Sequence, residues 1–154
     1  MPKKIIGVIG GHHCNKEVEQ IAHKIGKIVA NVGAILVCGG LSGVMKAVCQ
    51  GARLEDGLTI GIIPSYDKED ANEYCDIVIP TGLGYARNVL VVQSADIIVA
   101  LPGEYGTLSE IAYALQFKKP VIGLGGWDIK GMVGVNTVEE VETIIKELLK
   151  RSYV

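Results

Sequence analysis

Ile5-Ile6-Gly7-Val8-Ile9-Gly10-Gly11 is the stretch on which the fold turns. It has no polar side chain on either alternating face, as expected of a strand covered on both sides, and the glycine pair ends it. Outward from it, Val18, Ile21, Ala22, Ile25, Ile28, Val29 and Val32 recur at spacings of three and four, a helix stripe starting at Asn15 and stopped by Gly33. Residues 34–38 repeat the buried-strand pattern and run into Gly39-Gly40. The pattern then predicts a helix from about Ser42-Gly43 carrying Val44, Met45, Val48 and Ala52, and a strand over 58–63 that stops at Pro64. Residues 65–74 read as loop or short helix, 75–79 as strand, 85–95 as helix and 96–101 as strand. A helix over 107–117, a strand over 120–124, a glycine-bearing loop over 125–136 and a last helix over 137–150 complete the chain. Thr137 and Glu140 form a capping box for that last helix. Apolar strands alternating with amphipathic helices predict one α/β domain over residues 1–154, a doubly wound parallel sheet with helices on both faces.

Composition narrows the function. With 154 residues, a net charge of −2, 49% hydrophobic and 21% charged residues, the chain is too apolar for disorder and lacks the basic excess that nucleic-acid binding uses. No apolar run approaches the roughly 18 residues of a membrane span. The start, Met1-Pro2-Lys3-Lys4, leads into an apolar run too short for a signal peptide, so a cytoplasmic protein is expected, with no nucleic-acid or membrane partner. Cys14, Cys38, Cys49 and Cys75 form no C-x-x-C pair, and buried free thiols are the expectation for three of them. Twenty glycines against one Trp and one Phe point to sharp turns or close approach of backbone to a ligand.

In such sheets ligands sit beyond the carboxyl ends of the strands. Three glycine-rich loops leave those ends, each before a helix: Gly10-Gly11-His12-His13-Cys14, Gly39-Gly40-Leu41-Ser42-Gly43 and Pro102-Gly103-Glu104-Tyr105-Gly106-Thr107. Helix N-termini offer free N–H groups to anions, so a phosphate-bearing small molecule is the expected guest. The candidate binding residues are Gly10, Gly11, His12, Gly39, Gly40, Ser42, Gly43, Pro102, Gly103, Glu104, Tyr105, Gly106 and Thr107. His12, His13 and Cys14 are adjacent, which does not suit convergence on one ion, and no metal is assigned. Gly7-x-x-Gly10-Gly11 is not G-x-G-x-x-G, and the phosphate-binding loop with a G-K-[ST] ending and the G-x-S-x-G elbow are both absent.

Gly82-Leu83-Gly84-Tyr85-Ala86-Arg87-Asn88, Ser94-Ala95-Asp96 and Pro102-Gly103-Glu104-Tyr105-Gly106-Thr107-Leu108-Ser109-Glu110 together resemble the Lonely Guy family, the cytokinin-activating phosphoribohydrolases once labelled lysine decarboxylases. Gly39-Gly40-Leu41-Ser42-Gly43-Val44-Met45 resembles that family's G-G-x-x-G-x-M turn. The resemblance implies a Rossmann-like fold, and hydrolysis of the N-glycosidic bond of a nucleoside 5′-monophosphate with Arg87 and Glu110 as catalytic residues and no catalytic cofactor. No lysine stands out for Schiff-base chemistry, so decarboxylation is not expected. The same architecture includes molybdenum cofactor carriers, to which short glycine-rich chains look closer, and it implies the cofactor as bound cargo. Two departures favour that alternative: Asn88 stands where the family has lysine, and Glu104 where it has the second glycine of P-G-G. A carboxylate at 104 opposes a phosphate but suits the paired N–H donors of a pterin or guanine edge. Plainer readings stand beside these. Thr107-x-x-Glu110 is also a capping box, Arg87 also a surface helix arginine, and Trp127 after Gly125-Gly126 has no place. An interaction scaffold with a vestigial pocket is the third reading. The run Val89-Leu90-Val91-Val92, apolar all round, predicts a homodimer through its helix.

Overall fold

The computed structural model describes residues 2–151; residue 1 and residues 152–154 of the expected domain lie outside the described residues. The opening apolar run forms β1 (Ile5–Ile9), and the stripe after it forms α1 (Lys16–Asn31). Asn15 starts that helix by accepting the Val18 N–H on its side chain at 2.9 Å. There follow β2 (Ile35–Cys38), α2 (Val44–Leu54), β3 (Thr59–Ile63), β4 (Ile77–Pro80), α3 (Arg87–Ser94) and β5 (Ile97–Ala100). Then come α4 (Tyr105–Gln116), β6 (Val121–Leu124), β7 (Val133–Val135) and α5 (Val138–Arg151). The Thr137–Glu140 capping box is present at α5, with the Glu140 N–H donating to the Thr137 hydroxyl at 3.1 Å.

All strand pairs are parallel, in the order β4-β3-β2-β1-β5-β6-β7. The chain winds one way from β1 to β4, then returns to lay β5 on the other side of β1. That reversal opens a crevice beyond the carboxyl ends of β1 and β5, where ligands bind in doubly wound sheets. Alternate strand residues divide the core between the two faces. Ile6, Val8, Leu36 and Cys38 pack with Ile25 of α1, Val48 of α2 and Ile145 of α5, while Ile9, Val37 and Ile98 pack with Val91 of α3 and Ile111 of α4. The α/β sheet with helices on both faces is therefore as the sequence indicates.

α1 and α2 cross at backbone contact distance. A Cβ on Gly26 would lie 2.1 Å from the Val48 carbonyl oxygen, and one on Gly51 would lie 1.9 Å from that of His23. Only glycine lets the helices meet this closely.

Three expectations need correcting. The loop over 125–136 contains β7, a short edge strand with Gly134 at its centre, which presents too few side chains to register as a strand pattern. The helix expected from 107 begins at Tyr105, and the helix expected from 85 begins as a 3-10 turn over Gly84–Ala86. In the run 89–92, Val91 and Val92 are buried while Leu90 is exposed, so the helix is apolar beyond its buried face. Among the described residues, no helix is long and apolar enough to cross a membrane.

Candidate functional site

The three glycine-rich loops are joined to one another at the crevice. The Gly11 N–H donates to the Pro102 carbonyl at 2.9 Å, the Val44 N–H to the Gly11 carbonyl at 3.0 Å, and the Ser42 hydroxyl to the His12 carbonyl at 2.8 Å. Gly43, at φ +65°, comes so near that a Cβ would sit 2.4 Å from the Gly11 oxygen. On the other side, a Cβ on Gly103 would sit 2.0 Å from the Thr107 hydroxyl oxygen. Gly11 is thus the hub on which all three loops close.

Between them lies a cavity of about 720 Å³. Gly10, Gly11 and His12 line it from the β1 loop, Gly39 from the β2 loop, and Glu104, Tyr105, Gly106 and Thr107 from the β5 loop. Arg87 and Glu110 line it as well. Gly40, Ser42, Gly43 and Pro102 are absent from its wall and form the frame behind it; Gly103 opens onto a smaller neighbouring hollow. His12 and His13 stack with ring centroids 4.2 Å apart.

The loops do not all offer amides, contrary to expectation. Asn15 caps α1, Gly11 gives its N–H to Pro102, and Gly40 gives its own to the Cys38 thiol at 3.3 Å. The first amide of α2, Val44, is taken by Gly11. At α4 the N-cap position is Glu104, whose side chain makes no cap bond, and the N–H groups of Tyr105, Gly106 and Thr107 have no acceptor among the described residues. Those three residues line the cavity, so an uncapped helix N-terminus with its positive dipole end faces it.

The early start of α4 also corrects the capping-box alternative. Thr107 is the third helical residue, not the N-cap, and Glu110 lies a turn further in, 7% exposed. Burial pushes the Glu110 carboxyl up to about 8, and the neighbouring Arg87 charge offsets only part of that. At pH 7 it is therefore mainly uncharged, able to donate a hydrogen bond.

Arg87, the first residue of α3, is 7% exposed, which rules out the surface-arginine alternative. Its Nε donates to the Ile62 carbonyl at 2.9 Å, its Nη2 to the Gly39 carbonyl at 3.3 Å, and its Nη1 to the Asn88 side-chain oxygen. Three of its five N–H groups are so fixed, leaving two for a ligand. Burial lowers the pKa of Arg87 from its ordinary value, and the nearby Glu110 and Cys38 oppose that shift.

Asn88 is more than a lysine lost from the family pattern. In the structure its amide also donates to the Ser109 hydroxyl at 3.2 Å, and Ser109 in turn donates to the Gly106 carbonyl at 2.7 Å. Asn88 therefore ties Arg87 on α3 to the first turn of α4. Beneath the Gly39-Gly40 turn, Cys38 and Cys49 are buried free thiols with their sulfurs 3.4 Å apart.

The raised Glu110 pKa has a thermodynamic signature. In the unfolded chain the carboxyl ionises near 4.5, whereas in the fold it keeps its proton to about 8. The folded state binds more protons between those values, so stability is greatest below the lower one and declines as pH rises, by at most about 1.4 kcal/mol per pH unit. Glu110→Gln, which mimics the neutral acid, is expected to remove that decline. Denaturant unfolding of both proteins between pH 5 and 8 checks it, and parallel pH profiles would refute it.

Comparison with known proteins places this geometry. The chain is 37% identical to the molybdenum cofactor binding protein of Rippkaea orientalis, with a TM-score of 0.91 over 97% of this chain and 99% of that one. The molybdenum cofactor carrier protein of Chlamydomonas reinhardtii is 35% identical, with a TM-score of 0.86 over 96% of this chain and 99% of the other. A cytokinin riboside 5′-monophosphate phosphoribohydrolase of Mycobacterium tuberculosis is 31% identical over 72% of this chain, which spans 64% of that enzyme. The Lonely Guy resemblance, on the side of the molybdenum cofactor carriers, is thereby upheld. The model of the SLOG cluster4 family matches residues 3–152, and the chain belongs to that family.

Proposed function

We propose that this protein binds and holds a phosphorylated heterocyclic small molecule without turning it over, the ligand being a phosphorylated pterin of the molybdenum cofactor type. The uncapped amides of Tyr105, Gly106 and Thr107 receive the phosphate, with the Thr107 hydroxyl beside them and the two remaining Arg87 N–H groups opposite. The observation that carries the reading is the hydrogen-bond network of Asn88 on the cavity wall, with the buried Glu110 beside it. Glu110, pushed up to about 8, carries little of the negative charge that would stabilise an oxocarbenium ion at neutral pH. Asn88, in the family's lysine position, is engaged in holding Arg87 and Ser109. The similarity to carriers over nearly their full length supports the same view.

Arg87 and Glu110 on one cavity wall favour a second reading, N-glycosidic hydrolysis. There the C1′–N bond breaks with its electron pair going to the base, and protonated Glu110 gives its proton to a base nitrogen. Water adds to C1′ and returns a proton to the Glu110 carboxylate, leaving ribose 5-phosphate.

Calorimetry with a pterin monophosphate, beside chromatography of nucleoside 5′-monophosphate mixtures incubated with wild type and Glu110→Ala, separates the two. Binding with no free base from either protein is the expected result. Base released by wild type and not by Glu110→Ala overturns the carrier reading in favour of the hydrolase. A homodimer through α3 belongs to the same proposal, supported by the exposed Leu90 of that helix, and a monomer in micromolar sedimentation runs removes it.

A further inference from the structure

Beside the main cavity, and sharing Glu104 and Tyr105 with it, is a hollow of about 310 Å³ that Trp127 closes. The chain reaches it by an unusual turn. After β6, Gly125 and Gly126 both take left-handed conformations, at φ +72° and +75°, and a Cβ on Gly126 would lie 2.9 Å from the Pro102 Cα. Two consecutive glycines, pressed on the β5 loop, are what bring the only tryptophan of the chain to the site. Its indole N–H donates to the Glu104 main-chain carbonyl at 3.1 Å, and its ring packs against the core beside α3 and α4. The indole is therefore fixed, whereas the facing Tyr105 ring is 81% exposed. The ring centroids are 6.5 Å apart with planes 34° from parallel, at the far end of direct aromatic contact. A small turn of the free tyrosine admits one planar ring between them.

The polar group at this slot is the exposed Glu104 carboxylate, which has no hydrogen bond or ion pair among the described residues. Two carboxylate oxygens match two adjacent N–H donors, the geometry in which a carboxylate takes a guanidinium. Stacking alone does not discriminate among heterocycles, since every one has a π-face. A carboxylate at the ring edge does discriminate, because only a ring with the paired donors replaces the water that a bound ring displaces from it.

We infer that Trp127, Tyr105 and Glu104 form the heterocycle-reading part of the site, selecting a planar ring with adjacent ring N–H and amino donors, the edge that guanine and pterins share. The inference rests on the proposed phosphate site at α4, because a phosphate held there leaves the rest of the ligand beside Glu104. It makes Glu104 and Trp127 specificity determinants, and it gives the Gly125-Gly126-Trp127 segment a role.

Because Trp127 is the only tryptophan, its fluorescence reports the slot directly. Wild type and Glu104→Gln are titrated with GMP, IMP, AMP, a pterin monophosphate and ribose 5-phosphate, by fluorescence and by calorimetry. GMP and the pterin are expected to quench Trp127 and to bind at least tenfold more tightly than IMP and AMP; the tighter of the two identifies the source of the edge. Ribose 5-phosphate is expected to bind without quenching. In Glu104→Gln the tenfold preference disappears while ribose 5-phosphate affinity is kept or improved. Equal affinity for GMP and AMP, or a preference that survives Glu104→Gln, overturns the inference while ribose 5-phosphate binding leaves the phosphate site standing. Failure of all five ligands to bind overturns both.

Discussion

Arg87→Ala is expected to abolish ligand binding in calorimetry and to destabilise the fold by about 2–4 kcal/mol, since each buried polar group left unpaired costs roughly 1–3 kcal/mol. The guanidinium links three elements at once. It holds the end of β3 through the Ile62 carbonyl, the β2 loop through the Gly39 carbonyl, and α4 indirectly through Asn88 and Ser109. Removing it strands two main-chain acceptors and withdraws the positive charge that restrains the Glu110 carboxyl. Arg87→Lys is expected to do little better, because one ammonium at the end of a flexible stem cannot span both carbonyls and still reach a ligand. A lysine variant with wild-type unfolding midpoint and affinity would show that charge alone is what the site needs.

Gly51→Ala should be the more damaging change to the fold, with a loss of about 3 kcal/mol or more of the kind that follows from forcing atoms into a filled core. The added Cβ would fall 1.9 Å from the His23 carbonyl oxygen, a backbone atom in the middle of α1 that no rotamer change can move. The helices would have to part, loosening the packing of Ile25 and Val29 against Val48 and Ala52. Gly134→Ala is the control. Nothing lies within 4 Å of a Cβ there, and glycine in a strand is generally the weaker choice, so that variant is expected to be neutral or slightly stabilised. Chemical denaturation of the two variants beside wild type makes the comparison. Equal midpoints would mean that α1 and α2 can separate at no cost.

The contrast between those glycines bears on what was legible in the chain. β1, β2 and β5 are buried on both faces, so their continuous apolar runs showed them plainly, and their number and spacing implied the doubly wound sheet. β7 escaped because a three-residue edge strand with glycine at its centre carries almost no pattern. Thr107 and Glu110 imitate a capping box in one dimension. The helix in fact begins two residues before Thr107, and its first amides are left open toward the cavity. Arg87 and Glu110 could be picked out through the resemblance of whole motifs. What Arg87 holds could not, because Ile62, Gly39 and Asn88 meet it only once β2, β3 and α3 are packed side by side. Trp127 did leave a signal, a glycine pair directly after a strand's carboxyl end, where ligand contacts gather in this architecture.

The closing of all three loops on Gly11 bears on how such a site can diversify over evolutionary time. Shifting the backbone of any one loop breaks its bond to Gly11 or Pro102 and disturbs the other two, so lineages that share the frame are not free to remodel it piecemeal. New specificities must arise instead by exchanging side chains that project from an unchanged main chain, such as those at positions 88, 104 and 127 on the cavity and its neighbouring hollow. A carrier and a hydrolase can then be separated by a few substitutions on one inherited scaffold, and divergence at those positions, more than overall similarity, should track the chemistry of each descendant.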